Sequence, residues 1–85
     1  MKNIKIQDLK KGDYIHDSEI IANRLISGRF LYLRRNEMHY KPDKNDNSWE
    51  TSKRSDSYKN DDYWTLFSDI MILEKDDIDL LNLQS

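Results

Sequence analysis

The chain has 85 residues, 35% of them charged and 36% hydrophobic, so it makes a single domain spanning 1–85 with no room for a second core. With no cysteine there is no disulfide framework, no thiolate metal site and no cysteine nucleophile, and the cytoplasm is the expected compartment. The net charge of −2 divides along the chain: residues 1–59 hold 13 Lys/Arg against 9 Asp/Glu, whereas residues 60–85 hold 1 Lys against 7 Asp/Glu. If folding keeps those segments apart, the surface carries a basic area and an acidic area; if it brings them together, they neutralise each other.

At the start, Ile4 and Ile6 alternate with Lys5 and Gln7, Gly12 offers a positive φ, and Tyr14, Ile15 and His16 follow. That pattern predicts strand, turn, strand. Asp17 and Ser18 supply a second turn, after which two readings stay open. Residues 19–26 face residues 29–35 as a hairpin across Ser27 and Gly28, or residues 18–27 form a short helix with Asp17 as N-cap and Gly28 just past its end. In the arm after Gly28, Phe30, Tyr32 and Arg34 fall on one face and Leu31, Leu33 and Arg35 on the other, which suits a central strand.

Residues 41–62 contain no Ile, Leu, Val, Met, Phe or Ala, and Trp49 and Tyr58 are their only large side chains. Such a stretch cannot build a core, so it predicts a long solvated loop or a loosely paired ribbon, with Pro42 marking where regular pairing stops. Beyond it, residues 63–67 and 70–73 are apolar enough for one bent strand or two, with Ser68 and Asp69 at the bend. From Asp76 or Asp77, acidic capping residues and the spacing of Ile78, Leu80, Leu81 and Leu83 predict a short terminal helix; a strand is the alternative. The resulting fold class is mainly β (α+β), a small antiparallel β-barrel-like or curved sheet with a long polar loop and a short C-terminal helix. The longest apolar run, residues 70–73, is far short of a membrane span, so no membrane association is expected.

Catalysis finds little to work with. His16 and His39 are the only histidines, and neither the spacing between them nor the acids near His16 (Asp13, Asp17, Glu19) match a zinc site or a catalytic set. Residues 43–47 begin like a calcium loop, but the sixth position is Ser48 where glycine is needed and the twelfth is Arg54 where a bidentate glutamate is needed, so Asx-turn chemistry explains them better. With Gly12 and Gly28 the only glycines, no phosphate-cradling loop can be written. No enzyme, no cofactor and no metal are expected.

Two binding readings remain. Asp61, Asp62, Asp69, Glu74, Asp76, Asp77 and Asp79 would set carboxylates against a basic surface on a host protein, assisted by Trp49, Arg54 and Tyr58 on the polar loop. In the alternative, Arg29, Arg34, Arg35, Lys41, Lys53, Arg54 and Lys59, with Tyr32 and Tyr40, hold phosphates and stack bases of a single strand, along with Arg24 and Lys44. A monomer or a homodimer paired through an exposed strand fits either reading. The size, the Lys/Asn/Ile/Asp-rich composition and the lack of a catalytic set resemble the small accessory proteins of bacteriophages and mobile elements, anti-CRISPR proteins among them. That resemblance implies a non-enzymatic inhibitor of a host enzyme or defence complex.

Overall fold

Six strands and a helix make up the described part of the computed structural model, which covers residues 1–19, 24–34, 37–47, 58–59 and 66–84. The strands are β1 (Lys2–Lys5), β2 (Tyr14–Glu19), β3 (Arg24–Arg34), β4 (Glu37–Pro42), β5 (Tyr58–Lys59) and β6 (Asp69–Leu73); α1 (Lys75–Gln84) follows. All pairings are antiparallel, in the order β1-β6-β2-β3-β4-β5, so β6 is inserted between β1 and β2. Strands β1 and β5 stay at the edges, which leaves a curved open sheet and not a closed barrel. Among the described residues no helix is long and apolar enough to cross a membrane.

Strand alternation sorts the side chains. Ile15, Ile26, Phe30, Met38, Tyr40, Ile70 and Ile72 are buried on one face. After β1 a single 3-10 turn at Ile6–Asp8 tucks Ile6 and Leu9 under that face, and it is tied down by Ile6 N–H to Ser68 O at 3.0 Å and Gln7 N–H to Leu66 O at 3.1 Å. Each fully buried isoleucine contributes about 1.5–3 kcal/mol. Gly12, at φ 97°, closes the next turn as expected.

The chain reversal after β2 lies elsewhere than the sequence suggested. Asp17 and Ser18 are inside β2, and Ser27 and Gly28 are inside β3, where they pair with His16 and Ile15. Ser18 and Glu19 belong to β2 and Arg24–Ser27 to β3, so the helical alternative fails; the connecting residues 20–23 lie outside the described residues. Gly28 is needed for closeness, not for turning: a Cβ there would overlap the Lys41 carbonyl oxygen and sit 2.8 Å from Pro42 Cα.

The expected simple alternation of β3 also gives way. Phe30 pairs with Tyr40 and Tyr32 with His39, so a bulge at Leu31 shifts the register. The extra residue puts Phe30 and Leu33 on the core side together and turns Tyr32 outward, half-exposed at 49%. Pro42 ends β4, as its missing amide predicts. At the C-terminus the helical reading is the right one. Glu74 sits just before α1, and its N–H donates to the Asp77 carboxylate at 3.0 Å, the reciprocal half of a capping box.

Candidate functional site

The polar stretch after Pro42 starts on the sheet. Asp43 N–H donates to Ser27 O at 2.9 Å, and Asn47 N–H to Leu25 O at 3.0 Å, so residues 43–47 extend the pairing of β3. An Asx turn (Asn45 N–H to Asp43 Oδ1, 2.8 Å) shapes the segment. The Asp43 carboxylate accepts the hydroxyls of Ser27, at 2.8 Å, and Tyr14. The buried Asp46 carboxylate accepts the Ser27 N–H, at 3.0 Å, and the Tyr40 hydroxyl. Further along, Asn47 Oδ1 accepts the Leu25 N–H at 2.5 Å. Burial, reinforced by the hydrogen bond to Asp43, pushes the Tyr14 phenol up to about 12.

His16 Nδ1 lies 3.1 Å from Ser27 Oγ, which completes a line of Asp43, Ser27 and His16 reminiscent of a nucleophile and its base. It is not arranged for attack. Ser27 is fully buried, its hydroxyl donating to the Asp43 carboxylate, so its oxygen has no access to substrate. Among the described residues no group of three or more His, Asp or Glu could hold a metal ion.

The acidic candidates divide by what they touch. Asp69 pairs with Lys5 at 3.1 Å, and Asp77 holds the amino terminus of Met1, with Glu74 3.8 Å from the same ammonium. The ammonium keeps the Asp77 carboxyl below its usual range. These three acids serve the fold. Asp76 and Asp79 are exposed, and among the described residues neither makes an ion pair or side-chain hydrogen bond. They share a helix face with Leu80, which is 58% exposed. Beside them Met1, His16, Leu73, Leu80 and Leu81 line an open, largely apolar groove of about 170 Å³. Asp61, Asp62, Trp49 and Arg54 lie outside the described residues, as does the side chain of Tyr58.

The basic candidates gather on the outer face of β3 and β4. Arg29 stands over the Tyr14 ring, 4.7 Å from its centroid, donates to Gly12 O at 2.9 Å and pairs across the ladder with Lys41. Tyr32 stacks on His39, with centroids 4.9 Å apart and planes 10° from parallel, and Arg34 is exposed one pleat further on. Tyr40 is a correction: it is fully buried with its hydroxyl on Asp46, so it offers no ring to a base. Arg35, Lys53 and the side chain of Lys59 lie outside the described residues, whereas Lys44 is exposed in the Asx turn and Arg24 is half-buried on β3.

Sequence reasoning missed His39 as the partner of Tyr32, because the two face each other only once the bulge at Leu31 is known. It missed Leu80 as an exposed apolar side chain for a similar reason, since helical spacing alone does not say which stripe is covered. No known family matches this chain, and no curated protein or solved structure is significantly similar to it.

Proposed function

We propose that this chain is a non-enzymatic, cytoplasmic binding domain that captures a protein with a basic surface through the outer face of α1. The observation that carries the reading is the grouping of Leu80 with Asp76 and Asp79, an exposed apolar side chain flanked by carboxylates that make no ion pair or side-chain hydrogen bond among the described residues. An apolar anchor ringed by charge is how small interfaces concentrate binding energy and steer encounter. The adjoining groove has room for an apolar side chain from the partner. In its finer form, the partner is a host enzyme or defence complex whose basic groove ordinarily holds nucleic acid, and this chain is its inhibitor. The small size and the acidic C-terminal third support that form.

The test is capture of a basic partner from nuclease-treated bacterial lysate by wild-type protein and by the Asp76→Lys, Asp79→Lys double variant. Asp77 is left intact because it caps α1. The reading expects the double variant to lose the partner while staying folded, its melting temperature lowered only by the lost charge at the start of α1. Equal capture by both proteins overturns it.

A further inference from the structure

Cross-strand register lays out the outer face row by row. Leu73, Tyr14, Arg29 and Lys41 form one row across β6, β2, β3 and β4; Tyr32 and His39 form the next across β3 and β4; Arg34, with Glu37 opposite it on β4, forms the third. Along a strand, side chains on one face are about 6.6 Å apart. The stacked Tyr32–His39 pair is therefore flanked by cations at both ends, Arg34 on one side and Arg29 with Lys41 on the other. An aromatic platform between two positive charges matches a nucleotide whose base is splayed out and whose neighbouring phosphates lie to either side.

We infer that the outer face of β3 and β4 binds single-stranded nucleic acid, with one base stacked on Tyr32 and its flanking phosphates held by Arg34 and by Arg29 with Lys41. Base–aromatic stacking tolerates any base, and guanidinium and ammonium groups supply the salt-dependent part of the affinity. Arg29 is already oriented by the Tyr14 ring and the Gly12 carbonyl, so little side-chain freedom is lost when a phosphate arrives. A duplex is excluded by the chemistry of the site, because a paired base has no free face to offer. The inference does not depend on the α1 reading. Helix α1 packs on β6, and β4 lies three strands from β6, about 14 Å away.

The experiment is fluorescence anisotropy of labelled oligothymidylate and oligouridylate, and of a matched duplex, titrated with the full chain at several salt concentrations. Single strands are expected to bind more tightly than the duplex, with log K falling against log salt at a slope of about −1.4, about −0.7 for each of the two phosphates held. Tyr32→Ala is expected to weaken binding about tenfold or more, and Tyr32→Phe to preserve it. Replacing Arg34 and Lys41 by Glu is expected to abolish binding, and this variant decides the matter if Tyr32→Ala does not fold. Three outcomes overturn the inference: no binding of single strands, equal affinity for duplex, or an affinity that Tyr32→Ala leaves unchanged, the last marking a general polyanion or acidic-protein surface. The Asp76→Lys, Asp79→Lys variant should keep its oligonucleotide affinity, so this inference and the α1 proposal fail separately.

Discussion

Asp46 and Ser27, 19 positions apart, are joined by a buried hydrogen bond in which the Ser27 amide donates to the Asp46 carboxylate at 3.0 Å. The same carboxylate oxygen accepts the Tyr40 hydroxyl. A residue from a stretch with no aliphatic residue but Pro42 thereby enters the interior and closes β3 against β4. Asp46→Ala should cost about 3 kcal/mol, because two buried donors lose their acceptor together. Tyr40→Phe removes one donor and should cost about 1 kcal/mol. Urea denaturation of the two variants checks the ranking, and an Asp46→Ala loss no larger than that of Tyr40→Phe contradicts it.

The glycines should respond differently. At Gly12 a Cβ meets nothing within 4 Å, so Gly12→Ala carries only the backbone strain of a positive φ, about 1 kcal/mol. At Gly28 the new methyl collides with the backbone of Lys41 and Pro42, which must move. Gly28→Ala should cost about 3 kcal/mol, the upper end of overpacking, and should shift the amide resonances of both strands. Similar melting temperatures for the two variants would argue against that close approach.

Tyr14 should ionise well above the ordinary tyrosine range. Its phenol is raised to about 12 while an ordinary tyrosine titrates near 10. The stability it carries is complete below the unfolded value of about 10 and is lost as pH rises through about 12. Phenolate absorbance should show a late-titrating component at about 12, and Tyr14→Phe should shrink it by one tyrosine.

Asp17 should make the protein more stable in acid than its exposed carboxylates would suggest. Burial raises its pKa, and the Met71 N–H, which donates to its carboxylate at 3.1 Å, opposes the shift without cancelling it. A raised carboxyl contributes stability that is present below the unfolded pKa of about 3.9 and is lost as pH climbs through the higher folded value. Asp17→Asn keeps an acceptor for Met71 and removes the charge, so it should raise the melting temperature at neutral pH and leave it unchanged in acid. A variant that melts lower at neutral pH would show that the hydrogen bond to the ionised form dominates.

Local signals in the sequence were the ones that could be read. The Gly12 turn, the end of β4 at Pro42, the strand made of Ile70, Met71, Ile72 and Leu73, and the terminal helix, which starts at Lys75 and not at the expected Asp76 or Asp77 cap, each depend on residues within a few positions of one another. What escaped depends on partners far away. Ser27 and Gly28 resemble a hairpin turn until Lys41 is seen against Gly28, and Asp43, Asp46 and Asn47 look solvated until Ser27 and Leu25, 16 to 22 positions upstream, are seen to bond them. The bulge at Leu31 has no signature of its own, yet it decides which aromatic ring reaches the surface. Of the candidate surface residues, exposure of Arg34, Lys41, Asp76 and Asp79 followed from charge, whereas the burial of Tyr40 followed only from its strand partner, Phe30.

The insertion of β6 between β1 and β2 orders events on the ribosome. Ile4 pairs with Ile70, so β1 has no ladder to join until β6, more than 60 residues later, has been synthesised. The β2–β3–β4 meander can zip from neighbouring segments as it emerges, and closing the much longer loop to β1 is left for last. A chain cut short before Asp69 would hold two adjacent strand edges open, inviting a second copy to fill the gap.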